Sequence, residues 1–479
     1  MHKTTAVWAL ALALALTLLA GCGGSSVPAP SRLSPNNINL IFVSSEDLAY
    51  NAPGDVNPGN ANLTNQGLQR TLLMGSYLQQ RVLGTKNVTG LYALQPMTHL
   101  QTANQYPDMA PLETIEQFSV LNQVSLSWQG LPPITANSYP VNASAEQTVP
   151  SGAAPQGLDF TDQNGANEAL IDGIVTANAP GFYVFSAPWE TVQSLMSNIN
   201  QLKSYGLALP AAYQGPNYVY AISVAPSGAA SLVSFNSNLN PPSTYPVLPA
   251  VSRTTCANGQ LDSQQYFSLT VTGGVGGAVV PAGINTNETT YWVRHAEAHP
   301  DLFFEDGNYV GAGQWRALDI PNTVQGINPR LVYSLDPAQV VPQGSETAWG
   351  NSYWSYVRPS LTVLPYAIAN NLPFNLVPGL QVSAQNSPQL ASVYFFTGGN
   401  FSNQSVLIGW EHAHVPPTVN ALIASYYPNG GAPTAPDWPA LDYDTIWTVS
   451  LDASGNLTVD NGKCEGINSA ALPSVAPQF

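Results

Sequence analysis

The chain has 479 residues, 44% of them hydrophobic and only 8% charged; this is enough apolar material for a sizeable core and speaks against coiled coils, charged solenoids and a wholly disordered chain. Twenty-eight acidic against 12 basic residues give a formal charge of −16, a field that repels phosphate backbones and disfavours a nucleic-acid partner. With so few guanidiniums, an anionic ligand has to be held at short range by particular arginines, so each arginine is informative.

In chain order, residues 1–21 read as an export signal: Lys3, then an apolar stretch from Ala6 to Ala20. It ends in Leu19-Ala20-Gly21-Cys22, which resembles a bacterial lipobox and implies cleavage before Cys22 and lipid attached to it. Residues 22–36, rich in Gly, Ser and Pro, suit a flexible tether. Gly23, rather than an aspartate, follows the cysteine; by the same resemblance this favours the outer membrane, facing the periplasm or the cell surface. Apart from Cys22 the cysteines are Cys256 and Cys464, which in an exported chain are expected to form a disulfide.

A weak duplication organises the rest. Asn39–Val43 and Thr290–Val293 are short apolar runs expected to be buried strands, each followed by a helical segment around a Gly-x-x-Arg pair, Gly67/Arg70 and Gly313/Arg316. Gly90–Pro96 and Arg330–Pro337 read as strands ending in turns. Phe182–Phe185 and Val406–Gly409 lead into helices, and Tyr218–Val224 and Thr445–Leu451 read as closing strands before Pro-Ser-Gly and Ala-Ser-Gly turns. Strands alternating with helices predict α/β units with mainly parallel sheets. The boundaries fall at 37–240 and 289–465, with a linker at 241–288 and a tail at 466–479.

The two copies differ where open α/β sheets place their ligands, just after strand ends. Ser44-Ser45-Glu46-Asp47 stands against Arg294-His295-Ala296-Glu297, Ser186-Ala187-Pro188 against Trp410-Glu411-His412, and Thr98 against Arg358 on the spacing to Thr102 and Thr362. This ordered set resembles the histidine phosphatase (phosphoglycerate mutase-like) superfamily, from about Thr290 to Val459, with a degenerate first copy. The resemblance implies two three-layer α/β/α domains of that kind and a phosphomonoesterase that needs no cofactor. His295 would be the nucleophile forming a phosphohistidine, with Arg294 and Arg358 clamping phosphoryl oxygens and His412 donating to them. The substrate would be a phosphorylated small molecule, with the membrane contacted only through Cys22.

Several assignments stay open at this point. The general acid is one of Glu411, Glu297, Asp301 and Glu305, with Glu411 preferred for its place beside His412. Arg316 is either a further phosphate contact or a helix residue covering the sheet. Glu297, His299 and His414 join it as substrate-binding candidates. The same His295, His299, His412 and His414 with Glu297 would also make a transition-metal site, an alternative that Arg294 disfavours. A third possibility is a binding lipoprotein without turnover, its aromatics (Trp349, Tyr353, Trp354 and Tyr356) lining a groove.

Overall fold

The computed structural model describes residues 33–49, 54–122, 124–126, 134–136, 157–250, 253, 256, 265–298, 307–324, 326–337, 340–341, 354–377 and 387–479. Cys22 and the signal segment, His299, Asp301, Glu305, Trp349 and Tyr353 lie outside them. Among the described residues no helix is long and apolar enough to cross a membrane.

The first half builds a five-stranded sheet from β1 (Ile38–Ser44), β2 (Gly90–Ala93), β3 (Gly181–Ala187), β4 (Tyr218–Val224) and β5 (Ala230–Asn236), in the order β2-β3-β1-β4-β5. The second half builds a seven-stranded sheet from β6 (Ser268–Val271), β7 (Glu288–Arg294), β8 (Leu331–Leu335), β9 (Phe374–Val377), β10 (Ser405–Trp410), β11 (Thr445–Leu451) and β12 (Leu457–Cys464), in the order β6-β12-β11-β7-β10-β8-β9. With the edge strands β6 and β9 set aside, the two orders are the same, strand for strand. All seven residues of β1 and of β3 are buried, as expected for strands covered on both faces.

The sheets are mixed rather than mainly parallel. In the first, β1 and β2 each run parallel to β3, whereas β4 is antiparallel to both β1 and β5. In the second, β7 and β8 run parallel to β10 and β8 to β9, whereas β11 is antiparallel to β7 and β12, and β12 to β6. The expected closing strands β4 and β11 are in fact first arms of hairpins. A turn such as Ala225–Ala229 is too short for a parallel crossover, so the next strand must come back antiparallel. The stretch 241–288 is likewise not only a connection, because β6 lies within it, and Cys256 forms the expected disulfide with Cys464.

Eight α-helices are described with the two large sheets: α1 (Asn65–Tyr77), α2 (Ala110–Leu121), α3 (Ala166–Thr176), α4 (Trp189–Leu202), α5 (Gly311–Thr323), α6 (Arg358–Ala369), α7 (Ser387–Phe396) and α8 (Val415–Ser425). Period-two alternation sorts each sheet onto two cores. On β1, Leu40 and Phe42 pack with Trp189, Val192 and Leu195 of α4, while Ile41 and Val43 face a second core with Leu72 of α1 and Phe118 of α2. That second core also takes Val293 of β7, Leu318 of α5 and Leu364 of α6, so α1, α2, α5 and α6 share one apolar interior between the two sheets. The far face of the second sheet, with Trp292, Ile408 and Trp447, is covered by Phe395 of α7 and Val419 of α8.

The Gly-x-x-Arg pairs have a structural explanation common to both halves. A Cβ on Gly313 would stand 2.5 Å from the Glu297 carbonyl oxygen, and one on Gly67 would strike the Asp55 carbonyl. Glycine therefore lets each helix approach the loop that follows the first strand. Three residues on, on the same face, Arg70 Nε bonds Asp55 (3.0 Å) and Arg316 Nε bonds Glu297 (2.9 Å). In α1 the first turn is fixed by Thr64, whose hydroxyl accepts the Gly67 amide at 3.2 Å.

Candidate active site

The site of the second half collects at the carboxyl ends of β7 and β10 and the first turn of α6. Arg294 ends β7, paired in register with Trp410 at the end of β10, and the His295 amide donates to the Trp410 carbonyl at 3.0 Å. His412 follows two residues later. Arg358 is the first residue of α6, where Pro359 suits the first turn, and α6 is tied to the site loop because Thr362 Oγ1 accepts the Ala296 amide at 2.9 Å.

His295 is 2% exposed, and its Nδ1 lies 2.8 Å from the Ala296 carbonyl oxygen. A carbonyl can only accept, so Nδ1 carries the proton and Nε2 keeps its lone pair. Burial, then the charges of Arg358 and Arg294, hold the imidazole well below its ordinary pKa. His295 is therefore a neutral imidazole with one defined nucleophilic nitrogen.

Arg294 is anchored at one end only. Its Nη1 donates to the carbonyls of Ala440 (2.5 Å), Asp442 (3.3 Å) and Pro439 (3.5 Å), its guanidinium lies 3.9 Å from the Tyr443 ring centroid, and its buried Nε has no hydrogen-bond partner. Arg358, 2% exposed, donates to the Asn308 carbonyl at 3.5 Å and lies 4.9 Å from the Tyr356 centroid. The rings of Tyr356, Tyr443 and His412 surround His295 at centroid distances of 5.9, 6.1 and 6.5 Å. Sequence reasoning left out Tyr443, which is signalled only by its place before β11, and Asn308, which acts through its backbone.

Glu411 sits between two imidazoles: His412 Nδ1 is 2.6 Å from Oε1, outside hydrogen-bond geometry, and His414 Nδ1 is 2.5 Å from Oε2. Burial would raise this carboxyl, but the close His412 imidazole and the hydrogen-bonded His414 outweigh it and hold the group well below the ordinary carboxylate range. Glu411 is thus an ionised acceptor near neutral pH and a poor proton donor, contrary to the preference for it as general acid. An atom each of His295, Glu411 and His412 lie within 4.8 Å of one another.

Arg316 and Glu297 do not join this group. Arg316 is wholly buried and all its donors are used: Nε on Glu297, Nη1 on Asp444 (3.2 Å) and Glu465 (2.6 Å), Nη2 on the Ile467 carbonyl (3.0 Å) and Ser469 (3.1 Å). It can offer nothing to a phosphate, and Glu297 is held by it. Both are corrected from substrate contacts to a clamp that shapes the loop carrying His295.

The sheet register also corrects the comparison between the halves. The Ser45 amide bonds the Ala187 carbonyl at 3.0 Å, as the His295 amide bonds that of Trp410, so Pro188 matches Glu411 and Trp189 matches His412. The helix start Ala110-Pro111, with Thr114 Oγ1 bonding the Ala110 carbonyl (2.7 Å), matches Arg358-Pro359 with Thr362 (2.8 Å). Arg358 therefore corresponds to Ala110, not to Thr98, whose hydroxyl staples a turn by accepting from the Phe160 amide. Ser44, Ser45, Ala110 and Trp189 stand where the second half has Arg294, His295, Arg358 and His412.

No family model matches the chain, and no curated protein matches it. Solved structures similar to it include the provisionally assigned phosphohistidine phosphatase SixA from Agrobacterium tumefaciens, at 16% identity and a TM-score of 0.20, over 36% of this chain and 96% of that one. A second is the protein histidine phosphatase SixA complexed with tungstate, at 20% identity and a TM-score of 0.21, over 36% of this chain and 97% of that one. At such scores the likeness carries no argument.

Proposed function

We propose that the second half is a phosphomonoesterase working through a phosphohistidine on His295, with a phosphorylated small molecule as substrate. The observation that carries this reading is the Nδ1–H bond to the Ala296 carbonyl, which leaves Nε2 unprotonated beside two guanidiniums. Nε2 attacks phosphorus as the P–O bond to the alcohol breaks and the leaving oxygen takes a proton from water; water then attacks the phosphohistidine to release phosphate and restore the imidazole. Arg294 and Arg358 suit the phosphoryl oxygens because their planar forks match them, and His412 is placed to donate as charge builds. Glu411 orients His412 and His414.

The same reading makes the first half a degenerate copy from a duplication: a shared order of five strands, with all four site positions replaced, supports it. It places the boundaries at 37–240 and 289–465. Export and lipid attachment at Cys22 are part of it, resting on the lipobox-like run; the Cys256–Cys464 disulfide suits an oxidising compartment outside the cytoplasm.

The test is hydrolysis of an aryl phosphate by the chain without residues 1–22, beside His295→Ala and an EDTA arm. Turnover should survive EDTA and fall on the order of 10⁴-fold or more in the variant. Loss to EDTA alone would instead favour a cation on His295, Glu411 and His412. No turnover across phosphoesters would leave a binding lipoprotein. Labelled palmitate entering the full chain but not Cys22→Ala checks the anchor.

A further inference from the structure

At the matching strand ends of the first half the chemistry is reversed in sign. Asp47, three residues past β1, is 1% exposed, and Asp108, just before α2, is fully buried; His99 comes from the loop after β2. The His99 ring stacks on Phe160 with a centroid distance of 3.8 Å, and its Nδ1 lies 2.9 Å from Asp108 Oδ2 and 3.4 Å from Asp47 Oδ2. The other oxygen of each carboxylate is fixed by backbone: Asp47 Oδ1 accepts the Ala49 amide (2.5 Å) and Asp108 Oδ1 the Ala110 amide (3.3 Å). One donor atom from each of the three residues, all within 4.8 Å of one another, is thus presented to a common point.

Hydrogen bonding alone does not account for this arrangement. A single Nδ1–H can serve only one carboxylate, and it serves Asp108. Asp47 Oδ2 stays buried with no hydrogen-bond partner, an arrangement that is costly for a carboxylate unless a cation meets it. The observed edges also fit a coordination sphere, since donors about 2.0–2.2 Å from a metal stand roughly 3–3.5 Å apart. In the second half the residue matching Asp47 in register is Glu297, which is occupied by Arg316; in the first half Asp55 takes that place on Arg70, and Asp47 is released.

We propose that Asp47, His99 and Asp108 bind a divalent cation of the Zn²⁺ or Mn²⁺ kind, one imidazole nitrogen and two carboxylate oxygens forming three ligands of an open coordination sphere. One imidazole with two carboxylates suits borderline and hard divalent ions rather than soft ones. The Phe160 ring on which His99 stacks also lines a cavity of about 310 Å³, together with Asp162, Asn167, Glu190 and Ser194. The place that holds an anion site in one half would hold a cation site in the other.

The experiment is titration of the EDTA-dialysed full-length folded chain with Zn²⁺ and with Mn²⁺ by calorimetry, with bound metal counted after desalting and Co²⁺ absorption as a spectroscopic arm. Asp47→Asn, which keeps the shape, and His99→Ala are compared with His412→Ala. We expect one equivalent per chain, weakened at least about 10-fold in Asp47→Asn and His99→Ala and unchanged in His412→Ala. Metal-free melts of each variant confirm that it is folded. Absence of saturable binding, or binding kept in both first-half variants and lost in His412→Ala, would overturn the proposal. Neither result depends on phosphatase turnover.

Discussion

The Ala296 carbonyl decides which nitrogen of His295 can react, and the two guanidiniums decide its charge. Below its unfolded pKa of about 6.5 an ordinary histidine takes up a proton, whereas this one should stay neutral. ¹⁵N-histidine NMR should therefore show the His295 imidazole neutral at pH 5.5 with the proton on Nδ1, and Arg358→Met should move its titration upward. A His295 that titrates near 6.5 in the wild type would defeat the argument. Glu411 belongs to the same scale. Glu411→Gln removes the charge that His412 and His414 face, and a hydrogen bond to a charged group is worth about 1.5–3 kcal/mol. We expect kcat to fall about 10- to 100-fold, with the general-acid limb of the pH profile kept, since the carboxylate is not the proton donor.

At the scale of elements, the Gly-x-x-Arg helices lock the loops after β1 and β7. Gly313→Ala drives a Cβ into the Glu297 carbonyl, and Gly67→Ala does the same at Asp55. Each should cost about 1–3 kcal/mol in denaturant unfolding. Only Gly313→Ala should also depress kcat, because its loop carries His295; equal losses of kcat in the two variants would show the halves to be catalytically coupled. The strands, these helices and the pairing of His295 with His412 were legible in the sequence, because apolar runs and strand-end polar residues repeat at matching intervals. The role of Arg316 was not legible, because its partners Asp444 and Glu465 are 128 and 149 residues away and only the fold brings them together. The match of Arg358 to Ala110 also escaped, since Thr98/Thr102 imitates its spacing and only helix α2 reveals the true partner. The hairpin strands β5 and β12 were hidden for a similar reason: the Pro-Ser-Gly and Ala-Ser-Gly turns were visible, but β5 buries only Phe235 and lacks the apolar run of a buried strand.

Across the whole molecule, several carboxyls are buried without enough positive charge, and this sets how stability depends on pH. Glu113 in α2 and Glu288 at the start of β7 are each pushed up to about 8, chiefly by burial, and Glu465 likewise to about 8 despite Arg316. In the unfolded chain such groups titrate near 4.3. Between about 4.3 and 8 the folded chain thus holds protons that the unfolded chain has released, so stability falls as pH rises through this window. The limiting slope is about 1.4 kcal/mol per pH unit for each group. His295 works the other way: it stays neutral when folded, so below about 6.5 it costs stability, but it is one group against several, since Glu46 and Asp108 are held up as well. Glu411, held low, acts only as pH falls below the ordinary carboxylate range. The gain should therefore be steepest from pH 8 down to 6.5 and flatter below. Urea midpoints measured at pH 8.5, 7 and 5.5 should rise in that order, and Glu113→Gln should be more stable than wild type at pH 8.5 but not at pH 5.5. Midpoints highest at pH 8.5, or a Glu113→Gln difference independent of pH, would mean that this carboxyl is ionised in the folded chain.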